Sequence, residues 1–150
     1  MVVTRVPFRT DCRAAAVTLL TEFAAQTSPA TKLQVYPGRP RSINPPTAFV
    51  DGIREAYSYT NVTWRQRTPT VEVIVLWGLF DSKEAVDQAD AFADAFLNWV
   101  TDRYHAAGAN TTIGISSIED DPTYVPDWLP PSEQKTYFAS RISLEGFAGG

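Results

Sequence analysis

The sequence predicts an α+β domain in which a mixed or antiparallel sheet carries a long helix and a shorter N-terminal helix on one face. Residues 67–100 read as a long apolar strand, a tight turn and an amphipathic helix, and further strand patterns precede and follow that helix. The 150 residues, 44% of them hydrophobic, are enough for one core and few for two. We therefore expect a single domain over residues 1–150.

The strand within this unit is predicted to lie in the centre of the sheet. Apolar residues alternate along one face and, beyond Glu72, occupy the other face as well. The first face holds Val71, Val73, Val75, Trp77 and Leu79, and the second holds Ile74, Leu76 and Phe80. Such a pattern indicates a strand that is covered on both sides.

The helix that follows is predicted from its turn and its apolar stripe. The turn falls at Asp81 and Ser82, and Asp81 with Glu84 three residues later fits a capping box. Gly108 is the expected C-cap. The stripe recurs at helical spacing and consists of Ala85, Ala89, Phe92, Ala93, Phe96, Val100 and Tyr104.

The N-terminal third predicts a short helix, with Thr10 or Asp11 as N-cap, that ends near Ser28 because a proline follows. Its apolar stripe consists of Ala16, Leu19, Leu20, Phe23 and Ala24. A strand is expected at residues 32–36. The proline-rich loop 37–46 follows it, with Arg39 and Arg41 at its tip.

A second strand is expected at residues 47–53, with a turn or bulge at Asp51-Gly52. Residues 54–59 either continue this strand or form a turn of helix. Residues 61–68 lead into the central strand, and Pro69 marks a bulge or an edge position. An arm is predicted at this point, and it carries Trp64, Arg65 and Arg67.

The C-terminal part predicts two strands and a second proline-rich loop. The first strand covers residues 111–118, with Ile113 and Ile115 on one face, and the loop covers residues 119–132. The last strand, residues 134–147, alternates as a half-buried strand does. Its buried face is expected to hold Phe138, Ile142 and Leu144.

Composition excludes several classes of protein. The single Cys12 excludes an intramolecular disulfide, and no cysteine and histidine set is present that would hold zinc. The longest apolar run is shorter than the roughly 18 residues of a membrane span, and the N-terminus lacks the apolar region of a signal peptide, so a cytosolic product is expected. The net charge of -4 argues against binding to nucleic acid through its phosphates.

The net charge divides unevenly along the chain. Residues 1–67 hold nine Lys and Arg against four Asp and Glu, a charge of +5, and residues 68–150 hold four against thirteen, a charge of -9. Two surfaces of opposite sign favour head-to-tail contact between copies. Alternatively, the charges mix on one solvated surface after folding.

Few residues are candidates for catalytic chemistry. His105 is the only histidine and lies at the end of the long helix, and Cys12 lies in the first helical turn. Asp87, Asp90 and Asp94 face away from the apolar stripe. Three alternative roles are open for these carboxylates. They form a solvated helix face, they bind a hard cation, or they line a channel through which DNA slides without sticking.

Two loops supply candidate contact residues. Tyr124 and Trp128 belong to the second proline-rich loop, where they form a contact surface or fold back as a lid on the core. Arg39 and Arg41 contact a partner or are ordinary solvated turn residues.

Three stretches resemble the tail-terminator proteins of long-tailed (siphovirus) phages, the family typified by the lambda-type minor tail protein that caps the tail tube. The first is LQVYPGRPRSINPPTAFVD, a strand, a proline-rich loop and a strand. The second is RQRTPTVEVIVLWGLFDSKEAVDQADAFADAFLNWV, the central strand and the long helix. The third is the final strand, YFASRISLEGFAGG. With the first helix, the resemblance covers nearly the whole chain.

The resemblance implies a virion structural protein of the tail and neck, assembled in the host cytoplasm, and not an enzyme. Such proteins form a ring, usually a hexamer, at the head-proximal end of the tail tube, stop tube polymerisation and present a joining surface to the head-side connector. The implied partners are other copies of the chain, the tail tube protein and the connector or stopper protein. DNA would pass through the channel without specific binding, and no membrane, cofactor or metal is implied.

Within this interpretation, the predicted subunit or partner contacts are Arg39, Arg41, Trp64, Arg65, Arg67, Tyr124 and Trp128, and the predicted channel-facing residues are Asp87, Asp90 and Asp94. The competing interpretation is a head-tail connector, either a stopper or an adaptor, of the phage neck. Two more distant interpretations are a small binding module that uses the Tyr124 and Trp128 loop and a metal-dependent enzyme.

Overall fold

The computed structural model describes residues 9–26, 33–59, 65–102 and 111–148. Within these ranges, two α-helices, five strands and one 3-10 turn follow one another. They are α1 (Arg9–Gln26), β1 (Gln34–Tyr36), β2 (Thr47–Tyr59), β3 (Arg65–Leu79), α2 (Lys83–Asp102), β4 (Thr111–Tyr124), the 3-10 turn (Pro131–Glu133) and β5 (Tyr137–Ala148).

The strands form one mixed sheet in the order β1-β2-β3-β5-β4. β1 runs parallel to β2, and the other neighbouring strands are antiparallel. The predicted α+β class is confirmed. β3 occupies the centre of the sheet, as its apolar pattern predicted.

Both helices pack on one face of the sheet and form the larger core with β3 and β5. The Phe23 ring of α1 meets the Phe92 and Phe96 rings of α2 at centroid distances of 5.3 and 5.1 Å, edge to face. The two helices therefore contact each other as well as the sheet. The buried stripe residues are Ala16, Leu19, Leu20, Phe23 and Ala24 in α1 and Ala85, Ala89, Phe92 and Phe96 in α2.

The opposite face of the sheet carries a smaller core, covered by loops. Phe49, Ile74 and Leu76 are buried there, with Ile43 and Trp128 packed against them. The prediction that β5 is half-buried is wrong for the first residues of the strand. Tyr137 and Ala139 are buried in this second core, while Phe138 is buried against the helices on the other face.

The junction of β3 and α2 differs from the prediction. Ser82, and not Asp81, caps α2, because the Ser82 Oγ accepts a hydrogen bond from the Ala85 N–H at 3.2 Å. Leu79 and Phe80, which were predicted to belong to the two apolar faces, are 46% and 56% exposed at the end of β3, beyond a bulge between Leu76 and Gly78.

Several predicted boundaries also move. α1 includes Thr10 and Asp11, which were predicted as caps, and β4 continues to Tyr124 where a loop was predicted from residue 119. The β4 strand accommodates Pro122 at an irregularity between Asp121 and Tyr124, which an edge strand tolerates. The predicted positions of Tyr104, His105 and Gly108 lie outside the described residues.

β2 and β3 extend together beyond the rest of the sheet as an antiparallel pair. β2 passes the predicted bulge, between Val50 and Gly52, and continues to Tyr59. The pairing of β3 with β5 stops at Thr70 and Glu145, although both strands continue past it. Pro69, next in line, has no N–H to donate to a β5 partner. We call residues 55–59 and 65–69, which pair with each other beyond this point, the arm.

The buried aromatic contact between the helices sets a stability test. Phe96→Ala removes a fully buried ring that lies 5.1 Å from the rings of both Phe23 and Phe92. The free energy of unfolding, measured with urea, should fall by about 3–5 kcal/mol. Gln88→Ala, at an exposed position of α2, is the control and should change it by less than about 0.5 kcal/mol. Similar losses in the two variants would contradict the described packing.

Candidate functional site

Two arginines lie over two aromatic rings on the loop-covered face of the sheet. We call Arg39, Phe49, Tyr124, Trp128 and Arg141 the arginine–aromatic cluster. Phe49 is fully buried at its base, and its ring centroid lies 5.2 Å from that of Trp128 and 6.4 Å from that of Tyr124. Because β2, β4, β5 and the two loops all contribute, the cluster depends on the whole fold.

Arg39 and Trp128 join the two proline-rich loops. The Arg39 Nε donates to Asp51 Oδ1 at 3.0 Å, and its guanidinium carbon lies 5.0 Å from the centre of the Trp128 ring. The Trp128 Nε1–H donates to the Pro40 carbonyl oxygen at 2.8 Å. The hydrogen bond to Asp51 raises the pKa of Arg39, so this guanidinium stays charged.

Arg141 makes the corresponding contacts at the other end of the cluster. Its Nε donates to Asp121 Oδ2 at 2.9 Å, and its guanidinium carbon lies 5.5 Å from the centre of the Tyr124 ring. The side chains of Arg39 and Arg141 both remain about half exposed. The cluster therefore presents two charged guanidinium groups backed by aromatic rings, a composition typical of protein contact surfaces.

Tyr124 is kept as a neutral phenol by its surroundings. Burial, and then the charge of Asp51, raise the pKa of Tyr124 to about 12, against the opposing effect of Arg39 and Arg141. Burial, and then Glu133, also raise the pKa of the neighbouring Tyr137. The hydroxyl groups of both residues remain protonated at neutral pH.

The predicted loop residues have different environments. Tyr124 is only 8% exposed and Trp128 is half-buried, so these rings fold back on the core as a lid. Arg39 and Arg41 are both exposed, and Arg39 is held by its hydrogen bond to Asp51. Phe49, Asp51, Asp121 and Arg141 were missed as site residues, because their partners are remote in sequence and become neighbours only when the strands pair and the loops fold over the sheet.

The predicted arm residues are not part of this cluster. Arg65 and Arg67 lie on the arm and pair with Tyr59 and Tyr57 of β2, and Trp64 lies outside the described residues. Ile74, which pairs with Phe49 at the base of the cluster, is seven residues from Arg67 along β3, about 23 Å for an extended strand. The predicted contacts therefore form two separate surfaces.

The predicted channel residues form a third surface. Asp87, Asp90 and Asp94 are exposed on α2, which packs on the face of the sheet opposite the cluster. In the described part of the chain, no group of three or more His, Cys, Asp or Glu side chains is placed to hold a metal ion. Cys12 is buried in α1. Neither described helix is long and apolar enough to cross a membrane.

Exposed apolar side chains mark one end of the sheet. Leu79 pairs with Tyr137, Tyr137 pairs with Tyr124 on its other side, and Val125 follows Tyr124. Leu79, Phe80 and Val125, which we call the apolar rim, are 46%, 56% and 42% exposed. Exposed apolar residues gathered at one place are typical of contact sites.

Comparison of the chain with protein-family models and with curated proteins gave no match.

The raised pKa of Tyr124 predicts a loss of stability at alkaline pH. The folded-state pKa of about 12 exceeds the ordinary value of 10.0, so this contribution is fully present below pH 10 and is lost as the pH rises through 12. The free energy of unfolding should therefore fall more steeply between pH 10 and 12 in the wild type than in Tyr124→Phe. Urea unfolding across this pH range measures the free energy of unfolding. Equal slopes of this free energy against pH in the two proteins would contradict the prediction.

Proposed function

We propose that the protein is a phage virion structural protein that forms a ring, usually of six copies, at the head-proximal end of the tail tube. There it stops tube polymerisation and provides the surface to which the head is joined. The observation that carries this proposal is the arrangement of the three stretches that resemble tail terminators. They supply β1, β2, β3 and β5, which are consecutive neighbours in the sheet, together with α2.

The separation of the contact candidates supports a role in assembly. A subunit of a closed ring needs two different surfaces for its two neighbours and further surfaces for the structures above and below it. The arm, the arginine–aromatic cluster with the apolar rim beside it, and the acidic face of α2 lie on different parts of the fold. We assign the cluster and rim to contact with the tail tube or the connector.

The acidic face of α2 suits a channel for DNA. Asp87, Asp90 and Asp94 are exposed along one helix, and carboxylates repel the phosphate backbone, so DNA would pass without sticking. In this proposal α2 faces the channel of the ring, and DNA is not a specific ligand. The head-side connector and the tail tube protein are the partners of the remaining surfaces.

Mixing the purified chain with tail tubes tests the proposal. Light scattering and negative-stain imaging should find rings of about six copies at one end of each tube. Tubes capped in this way should not lengthen when free tube protein is added, whereas tubes mixed with an unrelated acidic protein of similar size should grow.

Two outcomes would overturn the assignment. Rings that bind only the portal side, and never a tube end, would assign the chain to the neck connectors. A chain that remains monomeric at high concentration, both alone and in the presence of tube ends, would contradict any ring function.

A further inference from the structure

The two edges of the sheet are very different. At one edge, β1 has three residues. At the other edge, β4 has fourteen residues, and among the described strands β5 is the only one that pairs with it. A long edge strand presents a row of backbone N–H and C=O groups that another strand can pair with. The outer edge of β4 is therefore the larger open edge of the described sheet.

The arm is a two-stranded ribbon with open edges. Within the described residues, β1 pairs with Thr47–Phe49 of β2 and does not reach the arm, and β5 pairs with β3 only from Thr70 onward. An isolated pair of strands is marginally stable in water, and a third strand or a packed surface is needed to stabilise it. The arm thus has backbone groups along its edges with which another strand can pair, and a third strand would stabilise it further.

The arm and β4 carry charges of opposite sign. The arm has two arginines, Arg65 and Arg67, against the single acid Glu55. Arg54, just before the arm, already forms an ion pair with Glu72 at 3.0 Å. The second half of β4 holds Glu119, Asp120 and Asp121 in succession, the first two of them exposed. Opposite charges on neighbouring strands stabilise their pairing, and like charges destabilise it.

We infer that the arm of one copy adds as a ribbon to the outer edge of β4 in the next copy, with its arginines beside Glu119 and Asp120. The inference rests on the proposed ring and names the contact that closes it. One copy supplies the arm and its neighbour supplies the edge, so the interface is head-to-tail and repeats around the ring. Backbone pairing holds the strands together, and the charges select the partner and the register.

Charge reversal on each side tests the contact. Arg65→Glu/Arg67→Glu and Glu119→Lys/Asp120→Lys, each mixed only with itself, should weaken ring formation about tenfold or more, because like charges then face each other. The chain that carries all four substitutions should form rings again. Glu22→Lys/Glu84→Lys, a matched change of charge at two exposed helix positions outside the arm, β4 and the proposed channel face, is the control and should form rings like the wild type. Light scattering measures assembly, and circular dichroism checks that each variant is folded.

Hydrogen exchange provides a second measurement that does not depend on the variants. In wild-type rings, amides of β4 around residues 117–121 should exchange about tenfold or more slowly than in the dissociated chain, because new hydrogen bonds cover the outer edge.

The possible results separate the inference from the proposed function. Charge-reversed variants that both form rings as well as the wild type, or wild-type rings that leave the β4 amides unprotected, would overturn the arm contact and leave the ring function standing. Failure of the fourfold variant to recover assembly would also overturn the contact. Absence of wild-type rings, alone and on tubes, would overturn the proposed function and this inference together.

Discussion

The fold depends on covering β3 on both faces. Five of its residues between Val71 and Leu76 are essentially without solvent contact, three toward the helices and two toward the loops. Each buried side chain of this size contributes roughly 1.5–3 kcal/mol through the hydrophobic effect, so neither face can be left open. Two helices supply one cover, and the loops 37–46 and 125–130 supply the other. The one indole on β3, Trp77, is accommodated because its Nε1–H donates to Ser140 Oγ at 2.9 Å.

The two covers are built differently. The helix side is held by interlocking aromatic and aliphatic side chains, whereas the loop side adds polar contacts from Arg39, Trp128 and Arg141. A half-exposed ion pair contributes little by itself. The contacts of Arg39 and Trp128 instead fix the orientation of the loops over Phe49. A loop held in this way can present a defined contact surface, which is the role that the proposed assembly requires of it.

The sequence predicted elements whose signal is local and periodic. The alternation of β3 and the stripe of α2 identified the centre of the sheet and the helix packed on it. The end of β4 was misread as a loop, because Pro122 and three acids hide a strand that is held in place by its pairing with β5. The contact of Arg141 with Asp121 was not predictable either, since it depends on register. Tyr124 and Trp128 were identified as a pair, but only packing decided that they face inward.

The separation of β3 from β5 at Thr70 divides one continuous strand into two parts that evolution can treat differently. From Thr70 onward, β3 has neighbours on both sides, so a change of length would shift the register of the whole sheet. Before Thr70 it pairs with β2 alone, and matched insertions in the two strands would lengthen the ribbon and leave the body unaltered. The length of the arm can thus change without a change in the core.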